Sequence, residues 1–123
     1  FFNEHSKFFS NYKEYFSLPV QRSNVRTGWL AYPITINKNK YFNRTDLQIF
    51  LEKKNIQTRV VFTGNILKQP GFKNIICFKK NRYPCANNIM EFSMLIGCHQ
   101  GLNDLMIKYM HRKIKDFIKL KVR

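Results

Sequence analysis

Four side chains able to hold an anion or a sugar hydroxyl fall within one short stretch, Thr58 to Pro70: Arg59, Asn65, Lys68 and Gln69. Arg59 offers a planar, permanently charged donor fork, and Asn and Gln add amide donors and acceptors. Gly64 tolerates φ > 0 and lets backbone approach a ligand closely. The same residues also read simply as a strand, a cap and a turn. Elsewhere the chemistry is thin. His5, His99 and His111 are scattered, and none has a Cys or carboxylate at metal-ligand spacing. Cys77, Cys85 and Cys98 are odd in number and lack any C-x-x-C, so buried free thiols in a reducing cytoplasm are expected. There is no G-x-G-x-x-G, no P-loop motif and no pair of carboxylates placed for acid–base work. The segment therefore presents a binding edge and no complete catalytic constellation of its own.

The elements around that stretch follow from periodicity. Val60, Val61 and Phe62 form a short run typical of a buried strand. Thr63-Gly64-Asn65 stops it, with Asn65 as N-cap of one helical turn over Ile66 to Lys68, and Pro70 turning Gln69 away from helix. Upstream, the apolar spacing predicts an amphipathic helix over His5 to Phe16 and a polar connection over Gln21 to Gly28. Trp29 to Ile36 predicts a strand, placed at a sheet edge because Pro33 cannot donate to a ladder. Asn43 and Asp46 form a capping box, Phe42 and Leu47 a staple, and Leu47, Phe50 and Leu51 a buried face. Asn55 takes the left-handed cap position, with Ile56 following it. Downstream, Phe72 to Lys80 predicts an irregular strand, Asn81 to Ala86 a loop, Asn87 to Phe92 a short helix and Met94 to Cys98 a buried strand. A last helix carries the stripe Leu105, Met106, Tyr109, Met110, Ile114, Phe117 and Ile118. Together these elements predict an α+β fold, a small sheet covered by helices.

Length and composition limit what this can be. A chain of 123 residues makes one ordinary domain, and 44% hydrophobic residues suit a globular one. It opens Phe1-Phe2 without Met, inside an amphipathic pattern, so a piece of a longer protein is expected. The 22 Lys and Arg against 7 Asp and Glu give a formal charge of +15 and a pI near 10.1. Such a balance prompts a small basic nucleic-acid-binding module. The excess is mostly Lys dispersed among Asn, Ile and Phe, which codon bias alone produces, so nucleic acid is not the expected partner. That module would rest on the charge and on aromatics such as Phe62 and Tyr83; exposed aromatics beside lysines would favour it, and aromatics buried in helix stripes an enzyme. No apolar run approaches the ~20 residues of a membrane-spanning helix.

Four ordered blocks then carry a resemblance: W-x-A-Y-P-I-T-I (29–36), F-N-R-x-D-L-x-x-F-L-E-x-x-x-I-Q-T-R (42–59), F-x-G-N-x-x-K-Q-P-x-F (62–72) and M-x-x-x-x-x-I-G-x-x-x-G-L (90–102). They resemble the C-terminal small domain of the DegT/DnrJ/EryC1/StrS superfamily of sugar aminotransferases, which uses pyridoxal phosphate. The G-N-x-x-x-Q-P turn is most similar to the branch of nucleotide-linked 4-keto-6-deoxyhexose 3-dehydratases of lipopolysaccharide sugar synthesis. The resemblance implies that residues 1–28 connect from an upstream cofactor domain and that residues 29–123 form the small domain. It also implies a homodimer acting on a nucleotide-sugar, with pyridoxal phosphate held mainly upstream beneath a Lys in aminotransferases or a His in dehydratases. Arg59, Gly64 and Asn65 match the motif and are the implied substrate-side residues. Leu95 departs from the pattern where an aromatic is usual, His99-Gln100 where a Tyr-Pro-like pair is usual, and Asn55 where glycine is usual.

Overall fold

A computed structural model describes residues 1–72, 74 and 83–123. Its sheet has four antiparallel strands: β1 (Phe16–Ser17), β2 (Ala31–Ile36), β3 (Thr58–Val60) and β4 (Ser93–Gly97), in the order β1-β2-β4-β3. Strand alternation puts Tyr32, Ile34 and Ile36 on one face with Met94 and Ile96, all buried. Three helices contribute to the same core: α1 (Phe2–Phe9) through Phe9, α2 (Arg44–Glu52) through Leu47 and Leu51, and α4 (Asp104–Lys121) through Met110, Ile114, Phe117 and Ile118. Phe9 stacks on Tyr32 at 5.8 Å, and Phe42 meets Phe117 edge-on at 5.1 Å. α3 (Pro84–Phe92) runs straight into β4. This is the α+β architecture that the periodicity predicts.

Local signals for α2 hold in detail. Asn43 Oδ1 accepts from the Asp46 N–H and Asp46 Oδ2 from the Asn43 N–H, both at 3.0 Å. Phe42 and Leu47 are both buried. At the other end Asn55 has φ 57°. The Ile56 N–H reaches Leu51 O and the Asn55 N–H reaches Glu52 O, each at 3.0 Å, the two bonds of a Schellman turn.

Several expectations fail for identifiable reasons. The first helix does not run from His5 to Phe16. Ser10 Oγ and Asn11 Nδ2 donate to Lys7 O, and Asn11 Nδ2 also to Phe8 O. These side chains satisfy the last helical carbonyls; a 3₁₀ turn over Ser10–Tyr12 follows, and Phe16 enters β1. β2 is not an edge strand. Cys98 N donates to Leu30 O and Asn37 N to Tyr15 O, so Leu30, Tyr32 and Ile34 direct their polar groups at β4, while Pro33, Thr35 and Asn37 direct theirs at β1. β1 ends at Ser17, opposite Thr35. Pro33 therefore faces a side where β1 has already stopped, and its missing N–H costs no ladder bond.

The strand at Val60 to Phe62 is not buried either. β3 pairs with β4 alone among the described residues, Val60 is half exposed and Phe62 is 91% exposed. The expected loop over Asn81 to Ala86 gives way to α3 from Pro84, whose fixed φ suits a first helical position. In α4 only the later part of the stripe is buried: Leu105, Met106 and Tyr109 are exposed, and Ile107 is buried instead. Cys98 is a buried free thiol as expected, whereas Cys85, in the first turn of α3, is exposed. The expected strand over Phe72 to Lys80, and Cys77 with it, lies largely outside the described residues.

Candidate functional site

β3, paired with β4 alone among the described residues, delivers the chain to the Gly64 turn. Gly64 has φ 68°, the left-handed region, and a Cβ added there would lie 2.8 Å from Met90 Cα. Only glycine fits both demands. Asn65, 3% exposed, follows in extended conformation, and its Oδ1 accepts from the Leu67 N–H at 3.1 Å, capping the 3₁₀ turn Ile66–Lys68. Its Nδ2 donates to Asn87 Oδ1 on α3 at 2.8 Å. Gln69 is extended and returns its Nε2 to Thr63 O at 3.1 Å, closing the turn upon itself. The polar side chains of Asn65 and Gln69 thus shape the turn, and Lys68 is exposed.

Arg59 is placed differently. It is exposed, and its guanidinium makes one long bond, 3.4 Å to Thr58 O. Its base is fixed: Glu52 Oε1 accepts from the Thr58 N–H at 2.6 Å and from the Thr58 hydroxyl at 2.8 Å. Those bonds, the Thr58 N–H foremost, hold the Glu52 carboxyl below its ordinary pKa. Arg59 lines a groove of about 750 Å³ at the end of the sheet, between Leu95, Ile56 and the first turns of α4. Neither Gly64 nor Asn65 lines that groove. The three implied substrate-side residues therefore sit in two places, Arg59 in the groove and Gly64 with Asn65 in the turn beyond the far end of β3.

Two of the scattered histidines meet. The Gly97 carbonyl can only accept, so His5 Nε2 carries the proton it donates there at 2.9 Å. His5 Nδ1 then accepts from His111 Nε2–H, also at 2.9 Å. His5 is fully buried, and His111 stacks on Phe8 at 4.1 Å. Burial lowers both pKa values, that of His111 to about 4, so the pair is neutral at pH 7. They are 106 positions apart in the chain, and no spacing rule could have paired them. His99 stands apart, its Nδ1 accepting from the Gly101 N–H.

The DegT/DnrJ/EryC1/StrS aminotransferase family model matches residues 4–115. The chain is 30% identical over 107 residues to lipopolysaccharide biosynthesis protein RfbH of Salmonella typhimurium, covering 87% of this chain and 24% of that protein. It is 31% identical over 101 residues to dTDP-4-dehydro-2,6-dideoxy-D-glucose 3-dehydratase of Saccharopolyspora spinosa, covering 82% and 22%. It thus spans about a quarter of these relatives. Among solved structures, E. coli GDP-4-keto-6-deoxy-D-mannose-3-dehydratase with bound hydrated PLP superposes with a TM-score of 0.70 at 22% identity, over 90% of this chain and 29% of that one. A putative sugar aminotransferase of Streptococcus pneumoniae gives 0.69 at 14%, over 98% and 31%. These structures share the fold.

Pyridoxal phosphate in an enzyme site calls for a Lys or equivalent at its aldehyde and a charged partner at its ring nitrogen. No lysine and no carboxylate lines the Arg59 groove, and His99 is already bonded to the neighbouring backbone. The donor set of this groove does not fit the cofactor. What the fold, the ordered blocks and the family match over residues 4–115 do establish is descent: the chain belongs to the DegT/DnrJ/EryC1/StrS aminotransferase family.

Proposed function

We propose that this chain is the C-terminal small domain of a cytoplasmic, homodimeric pyridoxal-phosphate enzyme that removes the C3 hydroxyl of a nucleotide-linked 4-keto-6-deoxyhexose, in the synthesis of lipopolysaccharide sugars. The observation that carries this reading is the family match over residues 4–115, joined to two curated relatives named for lipopolysaccharide synthesis and 3-dehydration. Residues 1–28 bring the chain from an upstream domain that holds the cofactor, with α1 laid into the core of residues 29–123. The small domain's part is to shape the substrate pocket. Arg59 supplies a charged fork for an anionic or hydroxyl-rich ligand. Gly64 brings backbone close to it, and Asn65 holds the turn in the conformation that does so. The aromatics divide between the two readings: Phe9, Tyr15, Phe16, Tyr32, Phe42 and Phe117 are all in the core, which favours an enzyme domain, while Phe62 and Tyr83, on which a nucleic-acid module would rest, are exposed.

The test is an assay of the full-length protein with nucleotide-linked 4-keto-6-deoxyhexoses, pyridoxal phosphate and glutamate as the amino donor, read by mass spectrometry. Loss of the C3 oxygen is expected, with histidine at the cofactor position upstream. A lysine there, with an amino group installed on the sugar, would transfer the assignment to amino transfer. Absence of both activities and of any upstream cofactor domain would overturn the reading.

A further inference from the structure

We infer that Asn87, on α3, is a positioning residue for the Gly64–Asn65 turn, and that Arg44 clamps α3 in the place from which Asn87 acts. The inference rests on the reading of that turn as substrate-facing. The turn is built against α3 at two points. Asn65 Nδ2 donates to Asn87 Oδ1 at 2.8 Å, and this bond leaves Asn65 Oδ1 aimed at the Leu67 N–H. Three residues along the helix, Met90 fills the space that a side chain on Gly64 would need. Asn87 and Met90 are neighbours on one helical face by their i, i+3 spacing.

α3 in turn is fixed at its C-terminal end. Arg44, the first residue of α2, donates from its terminal nitrogen to Met90 O at 3.0 Å and Ser93 O at 3.5 Å. A cation on these carbonyls also suits the negative end of the helix. Arg44 is thus a strut across the fold, from the capping-box end of α2 to the helix that backs the turn. Both residues lie in this chain, and neither depends on the cofactor to play its part.

The test uses the full-length protein with Asn87→Ala, Asn87→Asp and Arg44→Met, measured by hydrogen exchange over residues 61–69 and by steady-state kinetics. In Asn87→Ala one hydrogen bond to a buried amide is lost, and we expect faster exchange in the turn. KM for the nucleotide-sugar should rise roughly fivefold to tenfold, with kcat changed less than about twofold. Asn87→Asp keeps an acceptor for Asn65 Nδ2 in the N-terminal half of the helix, and should restore both readouts. Arg44→Met should raise exchange in α3 and in the turn together. Unchanged exchange in Asn87→Ala, or failure of Asn87→Asp to rescue it, overturns the positioning role. Faster exchange with unchanged KM overturns the inference at its other joint, because the turn would then not face substrate. A wild-type protein with no activity on nucleotide-sugars overturns the proposed function instead, and the exchange of residues 61–69 still decides whether Asn87 holds the turn.

Discussion

Acid should loosen α1 from the rest of the molecule before it unfolds the remainder. His5 on α1 and His111 on α4 share one hydrogen bond, and His5 is also bound to Gly97 O at the end of β4. Both imidazoles are neutral when folded and bind protons more readily when unfolded, because burial depresses their pKa. The unfolded chain therefore takes up more protons below about pH 6.5, and stability falls as pH drops through that value towards 4. For His111 the gap between 6.5 and about 4 corresponds to about 3.4 kcal/mol at full burial. Its ring is only partly buried, and solvent screening reduces the expected loss to ~1–2 kcal/mol. Glu52, held below its ordinary pKa, adds its own loss mainly below about pH 4.5, at the acid end of the assay. The assay is urea unfolding from about pH 7.5 to about pH 4.5, followed by emission of Trp29. That residue is the chain's single tryptophan and stacks on Phe2 of α1 at 4.4 Å, so it reports directly on the docking of that helix. His111→Gln keeps a donor near the Nε2 position and removes the titrating group, so its midpoint should vary less with pH in this range. Parallel pH profiles for wild type and His111→Gln would falsify the argument.

Three further outcomes follow from the packing. Arg59→Lys, at an exposed edge position, should leave the unfolding midpoint within the usual surface range of about 0.5 kcal/mol while lowering kcat/KM of the full-length enzyme; Leu51→Ala, fully buried, should instead lose ~2–5 kcal/mol of stability. Asn55→Ala places a Cβ-bearing residue without a helpful amide at φ 57° and should destabilise by ~1–2 kcal/mol in denaturant titrations, whereas Asn55→Gly should be close to neutral. Gly64→Ala combines positive φ with a backbone contact at Met90, and should lower thermal stability more than Gly28→Ala, where the added Cβ meets nothing within 4 Å.

What the sequence made legible was mostly local. The Asn43–Asp46 box, the left-handed Asn55 and the Asn65 cap each involve residues within a few positions of one another, where geometry follows from residue type. Long-range partners were illegible for the complementary reason. Nothing in residue 5 announces residue 111, and nothing in Asn65 announces Asn87. Burial departs from composition where the sheet ends: Val60 and Phe62 have the composition of an interior strand, yet among the described residues β3 is the last strand and both side chains are exposed. Pro33 cannot donate to a ladder, yet its strand is not at an edge, because one strand can be interior along half its length and open along the other half. At the candidate site, motif matching named Arg59, Gly64 and Asn65 together. Chain direction along β3 separates the first from the other two.

The carboxylate of Glu52 fastened to Thr58 has a consequence for how Arg59 would meet a ligand. The residue before the arginine is already held by two short bonds, one from its N–H and one from its hydroxyl, so capture of a ligand need not freeze any main-chain rotation there. Ordering one residue's backbone costs ~1–2 kcal/mol, and that cost has been met during folding. What remains free is the long side chain, with ~2 kcal/mol of rotamer entropy at most. The entropy that binding at Arg59 would remove is then that of the side chain alone.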